Sequence, residues 1–322
     1  MKTQQIVLAS RPKGEANLTN FRTENIEISK IKVDEVLLKG LFYSVDPYMQ
    51  DRINASEANN AAFQVNEPIE GGVLATVMES KSEHFAVGDI VLGMLPWKEQ
   101  IITSDKGLQK IDIAITAESY YLGILGMSGG IPYFGLMYIE QPNTKKTDKI
   151  SEQKVKDLKN RNILNLKNVS KKSVLLKEKF GLNESINYKT TTDLKKAIAE
   201  LCPQDVDIYF DNVGGEISDD VISSINFNSR LALCGQISLV DSEKSFKSKT
   251  DSLIPQRNVT MQGFITGNHQ NSFSTGTKEM LHFVKNRKMK FKEKIVSGFE
   301  KLPTALLGLF NDKNKRKIIA EA

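Results

Sequence analysis

Val206-Asp-Ile-Tyr-Phe-Asp-Asn-Val-Gly-Gly215 and, one helix-length later, Ser229-Arg-Leu-Ala-Leu-Cys-Gly235 decide the fold. Each is a short apolar run that stops at glycine. Between them, and before the first, lie stretches of helical character. Asp193 to Leu201 (DLKKAIAEL) reads as a helix with Asp193 as its N-cap, and Ser173 to Phe180 (SVLLKEKF) as another, closed by Gly181. Strand and helix in alternation point to an α/β class with a parallel sheet covered on both faces. Ligands of such sheets bind where strands end at their carboxyl edge. Asn212, the Gly214-Gly215 pair and Cys234-Gly-Gln-Ile-Ser238 are expected on that edge.

Working outward, residues 1 to about 115 change character. Glu35-Val-Leu-Leu-Lys-Gly-Leu-Phe-Tyr43 and Gly72-Val-Leu-Ala-Thr-Val-Met-Glu79 read as strands, separated by turns at Asp46-Pro47, Gly71-Gly72, Gly88-Asp89 and Asp105-Lys-Gly107. Val87-Gly88-Asp89 predicts a tight turn into a strand, and Gly93 a second bend. Ala117 to Tyr138 is apolar and glycine-interrupted, which suggests packed helices. Past Val259 the pattern predicts a helix over Thr277 to Lys285, β character at Lys294 to Gly298, a helix near Pro303 to Phe310 and a strand at Lys317 to Ala320.

With 322 residues, 40% hydrophobic and 26% charged, the chain can bury two cores. No apolar run approaches the ~20 residues that span a bilayer. The first residues have too short an apolar stretch for a signal peptide. Cys202 and Cys234 make neither a metal spacing nor a disulfide framework. A cytoplasmic enzyme is the expectation. The formal net charge of +5 is local: residues 143 to 179 hold twelve Lys and Arg against four Asp and Glu, leaving −3 for the remainder. Without aromatic interleaving or a nucleic-acid motif, that run reads as a solvated face, and neither nucleic acid nor membrane is expected as a partner.

Ser44-Val-Asp-Pro-Tyr-Met49, Gly71-Gly72, Val87 to Gly93, Leu122-Gly-Ile-Leu-Gly-Met127, Ile186-Asn-Tyr-Lys189, Tyr209 to Gly215, Cys234 to Ser238 and Met261-Gln-Gly-Phe264 occur in this order along almost the whole chain. In this the sequence resembles the zinc-independent medium-chain dehydrogenase/reductases. The resemblance is to the branch with the leukotriene B4 dehydrogenase/prostaglandin reductases and the NADPH-dependent alkenal and curcumin reductases. The lack of Cys/His clusters agrees with the zinc-free branch.

The resemblance implies a GroES-like β-barrel over 1–117, joined by the tail 300–322, and a Rossmann-like nucleotide-binding domain over 118–299. It implies NADP(H) as cofactor, a homodimer, and reduction of the C=C bond of α,β-unsaturated ketones or aldehydes. Carried over by position, Tyr48 matches a substrate-pocket tyrosine; otherwise it is an aromatic packed at a turn. Tyr188 matches a contact to the adenosine end, with a packing tyrosine as the alternative. Asn212 matches a cofactor contact, or else forms a turn. Cys234, Gly235 and Ile237 match a loop along the nicotinamide, or a plain strand end. Phe264, Ile265 and Thr266 match backbone contacts near the nicotinamide, and Asn314 a tail asparagine reaching the cofactor.

One segment departs from the family. Between Leu136 and Phe180 there is no glycine, where the family places a strand, a glycine-rich turn and a helix that present backbone N–H groups to the pyrophosphate. Lysines stand where a buried first strand needs an apolar run. Only Asn162 to Leu166 keeps strand character. Ser173 replaces a lysine for the 2′-phosphate, with Lys171 and Lys172 as stand-ins. Val240 replaces a tyrosine near the substrate. Pro132 is expected to disrupt its helix, and Lys315-Arg316 replaces a glycine step. Two readings therefore stay open. One is an NADPH-dependent double-bond reductase. The other is a relative without catalysis or dinucleotide binding, disturbed over 143–172 by divergence or by a shifted reading frame.

Overall fold

The computed structural model describes residues 2–55, 62–113, 116–135, 164–167, 184–234, 250–263, 270–286, 291–309 and 317–322. Two compact units emerge. The first takes Met1–Ser128 with Phe291–Ala322, the second Gly129–Lys290.

The first unit is built on a seven-stranded sheet. Its order is Glu293–Ser297, Lys317–Glu321, Glu35–Val45, Glu70–Ser80, Ile90–Pro96 and Gln109–Lys110, with Gln100–Ser104 also pairing Glu35–Val45. Lys2–Leu8 and Phe21–Glu27 form a separate antiparallel pair. The apolar faces of these strands meet in one core, with Ile6, Leu8, Val36, Leu38, Ile69, Val73, Val91, Trp97 and Ile318 all nearly or fully buried. The C-terminal Lys317–Glu321 strand lies antiparallel to Phe42–Val45, so the tail belongs to this unit. Residues 118–128 and 291–299 join it as well. The Ser119 hydroxyl donates to Glu293 Oε1 at 3.2 Å, and the Tyr120 and Phe291 rings meet edge to face at 4.5 Å.

Two glycines show what close approach requires. At Gly40 a Cβ would run into the Tyr43 ring, whose hydroxyl needs that space to donate to the Lys98 carbonyl at 2.6 Å. Gly88, at φ 91°, makes the turn before the Ile90–Pro96 strand. Gly93 is not the bend the sequence suggested. The strand runs straight through it, paired with Val73, and glycine is needed because Leu108 Cδ2 sits 2.8 Å from where a Cβ would be.

The second unit has a parallel sheet of Val206–Asp211, Ile225–Leu233 and Thr260–Gly263, in that order. The Gly215–Ser223 helix connects the first two strands as a βαβ crossover. Leu164–Lys167 and Glu184–Asn187 form a second parallel pair. Leu164–Lys167 overlaps the stretch that kept strand character. The Leu194–Leu201 helix starts as expected, with the Asp193 carboxylate accepting from Lys196 N–H at 2.9 Å. Its apolar stripe, Leu194 and Ile198, packs with Ile186 and Val221. Pro132 does not break its helix, which spans Met127–Phe134. The expected helix at Ser173–Phe180 and its Gly181 cap lie outside the described residues. No described helix is long and apolar enough to cross a membrane.

Candidate active site

In the first unit the Glu35–Val45 strand ends at Asp46-Pro47, and Tyr48 opens the short Tyr48–Asn54 helix. The turn closes on itself, Met49 N–H donating to the Asp46 carbonyl at 3.1 Å. The far end of the helix is held by Arg11, which donates to the carbonyls of Arg52 at 3.3 Å, Ile53 at 2.8 Å and Phe63. The Tyr48 ring packs against the core, yet its hydroxyl is buried with no hydrogen-bond partner among the described residues. Burial raises its pKa well above the ordinary phenol value, and the neighbouring Asp46 and Glu70 carboxylates add to this, against Arg52. The result is a neutral phenol whose O–H is buried and unused among the described residues. Such a group offers a hydrogen bond to an oxygen that is gaining charge.

Beside it runs a buried polar network that sequence reasoning missed. Lys317 Nζ donates to Ser44 Oγ at 2.7 Å, to the Val45 carbonyl at 3.1 Å and to the Asp46 carboxylate. The Ser44 hydroxyl donates to the other Asp46 oxygen. Ser44 and Asp46 stood within a quoted motif, but the partner is 271 positions away, and no local pattern signals it.

In the second unit the carboxyl ends of Val206–Asp211 and Ile225–Leu233 lie side by side, Cys234 N–H donating to the Asp211 carbonyl at 2.8 Å. Asn212 and Cys234 are thereby brought to one sheet edge. Asp211, another residue not singled out beforehand, shapes that edge. The residue is 2% exposed, and its carboxylate accepts from Val213 N–H at 3.0 Å, Gly214 N–H at 2.9 Å, the Tyr209 hydroxyl at 3.1 Å and the Ser218 hydroxyl. This turn leaves Asn212 exposed and sets Gly214 and Gly215 at φ 73° and 68°, the left-handed region that glycine enters at no cost. Burial, with Asp211 adding, raises the Cys234 thiol's pKa, which keeps it an inert thiol. Gly263 ends the third strand opposite Leu233. Tyr188 follows the Glu184–Asn187 strand and packs, half-buried, against the Ile186, Leu194, Ile198 and Val221 cluster.

Gly235, Ile237, Phe264, Ile265, Thr266 and Asn314 lie outside the described residues. So do Lys171, Lys172, Ser173, Val240 and Lys315-Arg316. Among the described residues no group of three or more His, Cys, Asp or Glu could hold a metal ion.

Comparison with known proteins gives these patterns a context. Residues 4–111 match a family model described as the N-terminal domain of oxidoreductase, and residues 158–285 one described as zinc-binding dehydrogenase. YfmJ of Bacillus subtilis, whose name classes it provisionally as an NADP-dependent oxidoreductase, is 38% identical over 98% of this chain and 96% of its own. The NADP-dependent 2-alkenal reductase of Nicotiana tabacum is 31% identical over the same shares, 98% and 96%. CurA from Vibrio vulnificus, solved with NADPH, superposes at a TM-score of 0.84 with 28% identity, covering 99% of each chain.

Proposed function

The chain belongs to the medium-chain dehydrogenase/reductase family, and from that premise we propose that it reduces the C=C bond of α,β-unsaturated aldehydes and ketones with NADPH. The observation that carries this reading is the buried, unpartnered hydroxyl of Tyr48. NADPH, when bound, supplies the hydride that goes to the β-carbon of the enone or enal. Such a transfer would leave enolate charge on the carbonyl oxygen until a proton reaches the α-carbon and completes the reduction. A Tyr48 O–H directed at that oxygen stabilises it without solvent reorganisation.

The described residues fit the cofactor. Along the carboxyl edge, Asn212 offers an exposed amide for a ribose hydroxyl. Among the described residues, Gly263 has only the Leu233 carbonyl, at 4.0 Å, near where a Cβ would be. Tyr188, Asn212 and Cys234 are the described residues that would hold the dinucleotide by position in the family; Gly235, Ile237, Phe264, Ile265, Thr266 and Asn314 join them on the same ground. A homodimer in the cytoplasm completes the reading by family analogy.

A second reading is supported by one observation, the absence of glycine between Leu136 and Phe180. On it the chain descends from such a reductase but holds no dinucleotide. One experiment separates the two. The purified protein is melted with and without NADPH at about 1 mM, the upper end of ordinary KM values. It is then given a 2-alkenal while NADPH oxidation is followed. A ligand at one hundred times its Kd stabilises by about 2.7 kcal/mol, which for a unit of this size is a rise of roughly 5–10 °C. A rise with turnover supports the reductase; a flat melting curve with no turnover overturns it. If the flat result holds, translating the gene in all three frames across 143–172 tests the frame idea, which requires a glycine-rich turn in another frame.

A further inference from the structure

Lys317 stands one residue before the ladder that joins the tail strand to Phe42–Val45, whose first pair is Ile318 with Val45. Its ammonium gives one hydrogen bond to each of three consecutive residues, Ser44, Val45 and Asp46. The Lys317 side chain is 12% exposed and that of Asp46 7%. A buried ion pair of this kind is a poor route to stability, since a well-packed apolar pair does as well or better. What it does supply is a fixed geometry. The three residues it holds are those just before Pro47 and Tyr48, and the Asp46 carbonyl also accepts the Met49 N–H inside the helix's first turn. Asp46 is also the acidic group with the largest electrostatic effect on the Tyr48 phenol.

We infer that Lys317 is a positioning residue for the Tyr48 hydroxyl, acting through Asp46, so that the C-terminal tail sets where the oxyanion donor points. The inference rests on the reading of Tyr48 as that donor. Lys317 itself touches no substrate. Its protons are all directed at the Ser44–Asp46 segment, and its effect on turnover passes through the angle and surroundings of one phenol.

The test replaces the ion pair by a neutral one, Lys317→Met with Asp46→Asn, so that no lone charge is left buried. The protein is labelled with 3-fluorotyrosine, and Tyr48→Phe and Tyr209→Phe identify two of the fluorine resonances. In the protein without added cofactor, the Tyr48 resonance is expected to move by more than its linewidth in the neutral pair, while the Tyr209 resonance stays in place. A Tyr48 resonance superimposable on that of the unchanged protein overturns the inference, whether or not the protein turns over. With NADPH and a 2-alkenal, the neutral pair is expected to lower kcat by up to about a hundredfold, the scale on which a misplacement of about 1 Å acts, with the KM for NADPH unchanged. Lys317→Arg with Asp46 retained, which keeps the charge but presents its donors in a planar fork, is expected to lose less. In a Tyr48→Phe background the same replacement should cost nothing further; a full additive loss overturns the inference. Tyr48→Phe with undiminished turnover sinks the donor reading instead, and the resonance then judges the positioning alone.

Discussion

Removing a single oxygen from Tyr48 is expected to make the protein more stable and less active. The hydroxyl is buried without a partner among the described residues. A buried, unpaired hydroxyl carries a desolvation penalty of about 1–3 kcal/mol, and Tyr48→Phe removes it while leaving the ring in its packing. Tyr43 is the internal control. It is fully buried in the same unit, but its hydroxyl donates to the Lys98 carbonyl at 2.6 Å. Tyr43→Phe gives up that bond and leaves the carbonyl unmet, costing about 0.5–1.5 kcal/mol or somewhat more. For a unit of about 150–250 residues each kcal/mol moves the melting temperature by roughly 2–4 °C. Tyr48→Phe should therefore raise it by about 2–12 °C and Tyr43→Phe lower it by a few degrees. Loss of an oxyanion donor should also cut kcat on a 2-alkenal by on the order of a hundredfold in Tyr48→Phe only. Differential scanning calorimetry and a steady-state assay suffice. If Tyr48→Phe melts lower than the parent by as much as Tyr43→Phe does, the hydroxyl has a partner after all, and the case for an unused donor is refuted.

Three further outcomes follow from the geometry. Asp211→Ala deprives two backbone N–H groups of their carboxylate acceptor, along with the Tyr209 and Ser218 hydroxyls, and is expected to cost about 3–5 kcal/mol. Asp211→Asn keeps one oxygen for the N–H pair and should cost about 1; urea titration of the second unit's transition compares them, and equal losses would contradict the turn's role. Tyr43, Tyr48 and Tyr209 all have pKa values raised above the ordinary phenol, chiefly by burial. Their contribution is whole below about pH 10 and is lost as pH climbs beyond it, at up to about 1.4 kcal/mol per pH unit for each tyrosine, so unfolding measured from pH 9 to 12 should steepen and each Tyr→Phe change should remove one such share. Gly71→Ala would push a Cβ into Met49 Cε, with Trp97 Nε1 3.5 Å away; overpacking costs about 1–3 kcal/mol, at the low end here because a methionine end can swing, and the emission of Trp97 should report the shift.

The elements that the sequence announced were those whose cause is local. Val206–Asp211 and Ile225–Leu233 are apolar runs ended by turn residues, and Asp193 caps its helix through a neighbour three positions on. Tyr48, Asn212 and Cys234 could be placed at the ends of strands because each sits inside a motif there, while the roles assigned to them remain proposals. What was not legible depends on partners far along the chain. Gly93 could equally mark a bend or a close approach, and only the position of Leu108 decides. Asp211 reads as one more polar residue until its carboxylate is seen to organise the whole turn. Lys317 belongs to a lysine-rich tail by composition, and only the fold buries it against Ser44 and Asp46.

The glycine-free segment gives the remaining test, because its consequence for affinity can be sized. The family models match 4–111 and 158–285, leaving 112–157 outside both. Beyond it, Leu164–Lys167 pairs in parallel with Glu184–Asn187 as a separate two-stranded sheet. Two backbone N–H groups withheld from a pyrophosphate forgo charge-assisted bonds of about 1.5–3 kcal/mol each. Solvated lysines return only about 0.2–1 kcal/mol apiece. A deficit of roughly 2–4 kcal/mol corresponds to about 30- to 1,000-fold in Kd. Grafting a glycine-rich turn and its apolar strand in place of residues 143–163 should therefore tighten NADPH binding by that factor, measured by titration calorimetry. A graft that folds and gains less than about threefold would mean that lysine-rich backbone serves a diphosphate as well as glycine does, against the steric argument that only a missing Cβ lets amides reach it.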